Sequence, residues 1–205
     1  MVKTSIDDGT GTANDTVYEY DIQNKDNTGK IVSITDKTIN ALGNISETIK
    51  NGVGQVLSIE DKGNSKNIKT VYEYDASGNV KKENKSDGSY IKYTYNTQNK
   101  VVGKYEYSTD NKWKKLSSYT YNEDDLLNIV SEYNVVDGSP IAYRYTFYEY
   151  DALGRMIGNS EIYKTELPNE SEIQESKQTY KYNIEDKLVE IRYPNTSKDK
   201  LKGIV

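Results

Sequence analysis

Short stretches of alternating large apolar and polar residues recur along the chain, and each one runs into a group of turn-forming residues. Five of them read Tyr-x-Tyr followed by Asp or Asn, at positions 72–75, 93–96, 119–122, 148–151 and 180–183. Because side chains alternate between the two faces of a β-strand, both tyrosines of a pair should share one face. After each group of turn residues the chain returns to an aliphatic residue or methionine, such as Val80 or Met156. The pattern predicts repeated strand–turn–strand units.

Each unit is centred on an Asp or Asn, with a Gly, Asn or Asp three positions later. The eight pairs are Asp26 and Gly29, Asn40 and Gly43, Asn51 and Gly54, Asp75 and Gly78, Asn96 and Asn99, Asn122 and Asp125, Asp151 and Gly154, and Asn183 and Asp186. An Asp or Asn side chain at the first position of a type I turn accepts hydrogen bonds from later backbone N–H groups. Gly, Asn and Asp tolerate the left-handed backbone that closes such a hairpin with a bulge. These sixteen residues are predicted to set the turns and the strand register.

Strand ends between the repeat turns also need turns, and turn-forming residues lie there at 87–88, 108–112, 137–138 and 167–170. The alternation predicts an all-β, up-and-down antiparallel meander of hairpins. The first unit carries Tyr18 and Tyr20, displaced by an insertion before Asp26. No segment combines a sustained helical period with caps, and the nearest one, 167–178, is predicted to be strand and loop.

The spacing of the repeat turns increases toward the C-terminus. From Asp75 to Asn183 the successive gaps grow from 21 to 32 residues. If each gap holds two strands and two turns, the strands should lengthen by roughly 5 residues. A sheet that widens in this way is expected to curve or spiral.

Composition favours a thin sheet over a thick core. The chain has 205 residues, of which 34% are apolar, and it contains 20 Tyr against one Phe and one Trp. Tyrosine has a large apolar ring and a polar tip, so it suits half-wet surfaces. We therefore expect a broad sheet with stacked rings on its faces.

Charge and missing residue types argue against several functions. The net charge is −5 with both signs mixed, so no basic patch is available for nucleic acid. No apolar run is long enough to insert into a membrane, and the first fifteen residues lack a signal peptide. Because the chain has no Cys and no His, it cannot form disulfides or use thiol nucleophiles and histidine bases. We expect no cofactor, no metal site and no enzymatic activity.

The segment 148–155, YEYDALGR, resembles the YD repeat of Rhs proteins, wall-associated bacterial proteins, the C components of Tc toxins and teneurins, and 72–79 is similar. The turns at Asn40 and Asn51, which lack Tyr-x-Tyr, resemble the short half-units of such arrays. The resemblance covers about residues 18–193 and implies hairpins laid side by side in a sheet that spirals into a hollow shell. In the toxin relatives it implies a shell around a C-terminal toxic domain. This chain has no match to the core sequence associated with self-cleavage.

The resemblance implies a non-catalytic structural section of a larger secreted or cell-surface bacterial protein. We divide the chain into an irregular N-terminal segment 1–17, a YD-repeat array 18–193, and a tail or the start of a further unit at 194–205. Repeat patterning close to both ends favours a piece of a longer precursor. The expected partners are the rest of that polypeptide or another copy paired at a sheet edge, together with an enclosed toxin domain or a glycan.

An alternative function is a carbohydrate- or cell-wall-binding adhesin module, because aromatic rings stack on sugar faces. Its candidate ligand face consists of Tyr72, Tyr74, Tyr93, Tyr95, Tyr119, Tyr121, Tyr148, Tyr150, Tyr180 and Tyr182. The competing interpretation is that these tyrosines form cross-strand ladders, each pair contributing roughly 0.2–1 kcal/mol. Regular recurrence favours the ladder. The acidic runs at 7–8 and 123–125 match no calcium loop and are expected to be solvated turns, and Trp113 is expected to pack on the sheet.

Overall fold

The computed structural model describes residues 2–7, 13–63 and 66–194, and within them β-strands dominate. The strands are β1 (Val2–Asp7), β2 (Ala13–Lys25), β3 (Ile31–Ile39), β4 (Ile45–Lys50), β5 (Val56–Lys62), β6 (Asn67–Tyr74), β7 (Val80–Lys85), β8 (Tyr90–Tyr95), β9 (Val101–Tyr107), β10 (Trp113–Tyr121), β11 (Leu127–Val136), β12 (Ser139–Tyr150), β13 (Met156–Ile162), β14 (Lys177–Tyr182) and β15 (Leu188–Arg192). One short helix, α1 (Glu170–Glu175), interrupts them. The described residues contain no helix that is long and apolar enough to cross a membrane.

Sheet order follows chain order from β1 to β15, with neighbouring strands hydrogen-bonded. The strand pairs with a defined register are antiparallel, for example β6 with β7 and β11 with β12. This confirms the predicted all-β antiparallel hairpin meander. Such a topology needs only short connections, because each strand turns directly into its neighbour.

The chain divides into two compact units, where the sequence interpretation treated 18–193 as one domain. The first unit comprises Met1–Lys92 with Ser108–Asn111, and the second comprises Tyr93–Tyr107 with Lys112–Val205. In each unit consecutive turns alternate between two ends of the strands. We call the end that carries most Asp/Asn turns the repeat-turn end, and the other the opposite end.

Strand structure begins earlier than predicted. Val2–Asp7 and Ala13–Lys25 are paired strands, so the prediction of an irregular segment over 1–17 is wrong for its described residues. An edge strand can be held by backbone hydrogen bonds with few apolar side chains, so its sequence gives a weak signal. The proposed tail at 195–205 lies outside the described residues.

The predicted insertion before Asp26 is a bulge in β2. The register against β3 jumps between Glu19 and Ile22, and Asp21 adopts a φ of 55°. The Asp21 N–H donates to Asp36 Oδ1 at 3.1 Å, which satisfies a backbone donor that the bulge removes from the ladder.

The strands lengthen only as far as β12. From β8 to β12 they grow from 6 to 12 residues, as the turn spacing predicted. β13 and β14 then have 7 and 6 residues, because the last gap holds α1 and its flanking loop. The prediction of continued lengthening is therefore wrong after β12.

The prediction that 167–178 contains no helix is also wrong. The Asn169 side chain accepts from the Glu172 N–H at 3.0 Å, and Glu172 Oε2 accepts from the Asn169 N–H at 2.9 Å. This capping box is written in the sequence as Pro168-Asn169-x-x-Glu172, and it starts a helix too short to show periodicity. Ser160 on β13 donates to the Ile173 carbonyl at 2.8 Å and fixes the helix on the sheet.

Few side chains are fully buried, as expected for a thin sheet. Among the described residues the buried apolar side chains are Ile91, Ala142, Tyr145 and Pro168. Most strand residues are instead half-buried on both faces. Stability therefore depends on the hydrogen-bonded ladder and on contacts between neighbouring strands and turns.

Candidate functional site: the repeat turns and their tyrosines

All eight predicted turn pairs lie in hairpin turns of one geometry. In each, the N–H of the first residue donates to the carbonyl four positions later, and the N–H of the fourth residue donates to the carbonyl of the first, at 2.9–3.1 Å. The fourth residue has a φ between 59° and 86°, whether it is Gly, Asn or Asp. A register shift accompanies the turn in six of these hairpins, those at Asp26, Asn51, Asp75, Asn122, Asp151 and Asn183. The Asn40 hairpin keeps a continuous register between β3 and β4.

The Asp or Asn side chain accepts hydrogen bonds from backbone N–H groups of its own turn. Asn51 Oδ1 accepts from the N–H groups of Val53 and Gln55 at 3.1 and 2.9 Å. Asp75 makes the equivalent bonds to Ser77 and Asn79, both at 2.9 Å. These bonds satisfy backbone donors that would otherwise face only water.

The same bonds shift the pKa of the turn carboxyls. Backbone and side-chain donation from Asn79 holds the pKa of Asp75 below its usual value, although partial desolvation opposes the shift. The Thr28 hydroxyl lowers the pKa of Asp26, and the Arg155 guanidinium lowers that of Asp151. The charged carboxylate is therefore the form that the folded turn prefers.

The eight turns do not all lie at the same end of the strands. In the first unit the turns at Asp26, Asn51 and Asp75 occupy the repeat-turn end, whereas the Asn40 turn joins β3 to β4 at the opposite end. In the second unit the turns at residues 96, 122, 151 and 183 all share the repeat-turn end. The short interval between Asn40 and Asn51 thus spans a single strand, β4.

Neighbouring repeat turns contact one another through a residue that sequence reasoning missed. It is the fifth residue of the turn, just after the left-handed position. Gln55 Nε2 donates to the Gly78 carbonyl at 3.3 Å, and Arg155 lies 2.5 Å from Asp186 Oδ1. We call the four contacts of this kind the turn ladder: Gln55 to Gly78, Lys100 to Asp125, Leu126 to Gly154, and Arg155 to Asp186.

No single residue type marks the fifth position, since Gln, Lys, Leu and Arg all occupy it. Leu126 contributes contact alone, with its Cδ1 3.7 Å from where a Cβ on Gly154 would lie. The side chains share only length, which is what spanning two strands requires. The signal in the sequence was a long side chain at the fifth position of the turn, although its residue type varies.

In three of the five pairs the second tyrosine hydrogen-bonds to the preceding repeat turn at that end. The hydroxyls of Tyr74, Tyr121 and Tyr182 donate to the carbonyls of Val56, Val101 and Met156 at 2.7–2.9 Å. Each acceptor is the aliphatic residue that follows the previous repeat turn at that end. The predicted tyrosine and aliphatic positions are therefore joined by a hydrogen bond as well as by packing.

Fifth-position cations cover two of these rings. Lys100 Nζ lies 5.1 Å from the ring centre of Tyr121, and the Arg155 guanidinium lies 4.9 Å from that of Tyr182. Burial raises the pKa of the Tyr121 hydroxyl, which keeps it a donor. One cation thus contacts both the ring and the next turn.

The first tyrosines of the pairs are half-buried and do not face each other across neighbouring strands. The direct partners of Tyr72, Tyr119, Tyr148 and Tyr180 are Glu83, Val130, Asn159 and Ile191. The expected ladder of tyrosine against tyrosine is therefore wrong for these strands. Equivalent positions recur only on every second strand, about 9–10 Å apart, which is too far for direct cross-strand pairing.

A second aromatic group lies on the other face of the second unit, and sequence reasoning missed it. Ser131 is paired with Tyr145, and Ile129 with Phe147, on the face opposite Tyr119. Tyr145 is 6% exposed, its ring stacks with Phe147, and Trp113 packs against Tyr105 at 5.9 Å. The alternation Tyr143-x-Tyr145-x-Phe147 was the available signal in the sequence. It was missed because these residues are not directly followed by an Asp/Asn turn, unlike the Tyr-x-Tyr pairs.

Charged groups in the described residues are arranged in ion pairs across the strands. Arg144 on β12 binds Glu132 on β11 and lies 3.6 Å from Glu161 on β13. Hydrogen bonding from Tyr163 and these carboxylates raises the pKa of Arg144. Among the described residues no group of three or more carboxylates or other ligating residues could hold a metal ion. Glu123, Asp124 and Asp125 are exposed in their turn.

No protein-family model matches the chain, and no curated protein matches it. Among solved structures, the chain is similar to one chain in the crystal structure of TcdB2-TccC3 and to one in the crystal structure of TcdB2-TccC3-Cdc42. In both cases the TM-score is 0.60 and the sequence identity 16%, with 92% of this chain covered.

The chain spans about one tenth of those solved chains, since the match covers 10% of their length. At this identity the likeness shows the fold, an antiparallel hairpin array of the kind found in part of a much longer polypeptide. It agrees with the architecture implied by the Tyr-x-Tyr-Asp units.

Proposed function

We propose that this chain is a non-catalytic section of a YD-repeat-like β-sheet wall in a larger bacterial protein, secreted or displayed at the cell surface. The observation that supports this most strongly is the turn ladder with its tyrosine hydrogen bonds. Within each unit these contacts join neighbouring repeat turns, and the tyrosine bonds use residues that define the repeat. Recurrent contacts between similar neighbouring units are typical of repeat architectures, whose units gain stability from their neighbours.

The last repeat turn has the same contact residues that earlier repeat turns use to bind the next hairpin. Lys187 occupies the fifth position and Leu188 the aliphatic position, and Leu188 is 47% exposed. We infer that the partner of β15 is another strand, from the rest of a longer polypeptide or from a second copy. Its Tyr-x-Tyr would supply a hydroxyl to the Leu188 carbonyl. In the longer protein this wall would surround a separate domain, in keeping with the toxin relatives of the repeat.

The tyrosine geometry favours the wall over a glycan-binding tyrosine face. The hydroxyls of Tyr74, Tyr121 and Tyr182 are used in bonds to the main chain, and Tyr180 donates to Asn159 Oδ1 at 2.8 Å. A sugar platform needs such hydroxyls for its ligand.

Adding one more repeat tests the wall directly. A second copy of residues 163–194, one period of the last repeat, is inserted after Pro194. In a repeat array the added unit contributes its own stability and one more interface, so the thermal unfolding midpoint should rise. Circular dichroism should show additional strand signal.

The matched control carries the same insert with serine in place of the two residues copied from Tyr180 and Tyr182. It should gain little or nothing, because the hydroxyl-to-carbonyl contact and the ring are absent. Equal melting of the two inserted chains, or a lower midpoint with the native insert, would overturn the proposal.

A further inference from the structure

The outer edge of β15 faces no other strand in the part of the chain that the structure describes. β15 is the last strand in the order of the sheet, and its residues pair with β14. Two side chains at this edge are largely exposed, Val189 at 45% and Tyr193 at 55%. An open strand edge presents backbone donors and acceptors that can pair with another chain.

The turn before β15 determines which of its residues direct their backbone groups outward. Because the Asn183 N–H donates to the Lys187 carbonyl at 2.9 Å, the backbone groups of Asn183 point toward β15. This direction alternates along an antiparallel strand, so the register makes Glu190 and Arg192 the residues that bond to β14. The N–H and carbonyl of Ile191, which lies between them, point away from the sheet.

The side chains of β15 place opposite charges on one face and an apolar residue on the other. Ile191 shares its face with its direct partner Tyr180, whereas Glu190 and Arg192 lie on the other face. Glu190 Oε2 lies 3.0 Å from the Lys181 ammonium, and Arg192 contacts Glu190 along the strand. The edge therefore carries one acid and one base, two residues apart, on either side of an outward-pointing backbone unit.

We propose that the edge of β15 pairs with the same edge of a second copy of this chain, antiparallel and about a two-fold axis. Ile191 lies opposite the second copy's Ile191, and the two residues exchange N–H···O bonds. Glu190 lies opposite the second copy's Arg192, and Arg192 lies opposite the second copy's Glu190. This inference rests on the proposed function, which leaves the edge of β15 to another strand, and it identifies that strand.

Charge complementarity selects this register. A shift of two residues is the smallest that keeps every side chain on its own face. In one direction such a shift places Glu190 opposite the second copy's Glu190, and in the other it places Arg192 opposite the second copy's Arg192. Like charges directly opposite each other are destabilising, so the register that joins acid to base is preferred.

The exposed residues at the ends of β15 also meet in this register. Pairing extends β15 to Tyr193, which lies opposite the second copy's Val189 and shields it from water. Pro194 follows directly, and the alternation turns its nitrogen away from the second copy. Its missing N–H therefore removes no hydrogen bond between the two chains.

Sedimentation velocity at increasing protein concentration, from about 5 to about 500 µM, tests the pairing. Few residues of each copy meet, so the interface belongs to the small and transient class, and we expect a monomer–dimer equilibrium with a Kd on the order of 100 µM. A chain that stays monomeric up to about 1 mM would overturn the inference and leave the edge to a strand of the longer polypeptide. The wall is tested separately, by the melting of the chain with an added repeat.

Two charge variants test the register. Arg192→Glu leaves only acidic residues on the pairing face, and Glu190→Arg leaves only basic ones, so each should raise the Kd at least about tenfold. An equimolar mixture of the two variants should form heterodimers, because each acidic strand then lies opposite a basic one. The control, Lys114→Glu, makes the same change in net charge at an exposed position of β10 and should leave the Kd unchanged. Dimers that persist in Arg192→Glu, or variants that stay monomeric when mixed, would contradict the proposed pairing.

Discussion

Two turns of the first unit, one at each end of the strands, have the same backbone geometry and different side chains. At the repeat-turn end the Asn51 turn has backbone bonds of 2.9 and 3.0 Å, and at the opposite end the turn at Lys85 has the same two bonds at the same lengths. Both end in a left-handed glycine, Gly54 or Gly88. Only the Asn51 turn has a first-position side chain that accepts from the backbone.

The comparison shows that the backbone conformation of the fourth residue reverses the chain, whereas the side chains stabilise a repeat turn and connect it to its neighbour. A left-handed fourth residue is sufficient to reverse the chain, as Gly43 and Gly88 also do at the opposite end. The first-position Asp or Asn stiffens the turn, and the fifth residue and the tyrosine connect it to the next one. The opposite end lacks the complete set: its Asn40 turn has the first-position acceptor, but no Tyr-x-Tyr precedes it. Its other connections vary and include a two-residue turn at Asp137-Gly138 and a helix.

The largest expected effect comes from the backbone requirement that both ends share. Gly54 has a φ of 85° and no atom near its missing Cβ, so Gly54→Ala isolates the cost of a left-handed alanine. We expect a loss of about 1–2 kcal/mol in the free energy of unfolding, measured by urea denaturation. The control, Gly52→Ala, is two residues away with equally open surroundings and no left-handed φ. It should be neutral or slightly stabilising, and an equal loss in both variants would show that backbone conformation is not the cause.

The next effect should appear only in turns whose first residue accepts hydrogen bonds from the backbone. Asn51→Ala removes the acceptor for the N–H groups of Val53 and Gln55, and we expect a loss of about 1 kcal/mol, by analogy with the removal of a helix cap. Lys85→Ala changes the same position of the matching turn, where the side chain serves no backbone donor, and should alter stability by less than about 0.5 kcal/mol. Equivalent losses in the two variants would show that the first-position side chain does not stabilise the turn.

The sequence predicted the regular end well because its signals are local. Asp151 and Gly154 lie within four residues and act through backbone bonds inside that span, so the turn can be derived without knowing the fold. The strand assignment followed from alternation between such turns. The capping box at Asn169 was equally local, but a helix of one or two turns gives no periodic pattern to draw attention to it.

Contacts between hairpins were harder to predict because their partners lie 18 to 31 residues apart, as with Tyr74 and Val56 or Arg155 and Asp186. Expecting tyrosine against tyrosine failed because the register places equivalent residues two strands apart.

A smaller effect tests the links between turns. Tyr121→Phe removes the hydroxyl that donates to the Val101 carbonyl at 2.8 Å and keeps the ring under Lys100. We expect a loss of about 0.5–1 kcal/mol in the free energy of unfolding. Tyr119→Phe, on the same face of the same strand, should change stability less. If Tyr119→Phe costs as much, the hydroxyl is not what joins neighbouring turns.

The smallest expected effect is the part of the pH dependence of stability that comes from turns beginning with Asp. The folded turns lower the pKa of Asp26, Asp75 and Asp151, so the charged carboxylates contribute stability that is present above the ordinary value of 3.8 and is lost as the pH falls through the lower folded values. Turns that begin with Asn have no such charge to lose. A variant with Asn at all three positions should therefore lose less of its unfolding midpoint between about pH 5 and about pH 2.5 than the unaltered chain does. Asp87 keeps its own lowered pKa at the opposite end in both proteins, so the difference between the two melting curves reports the repeat turns alone. Parallel curves would mean that the first-position oxygen works as a neutral acceptor, and that Asp and Asn are interchangeable there because only the geometry of the hydrogen bonds matters.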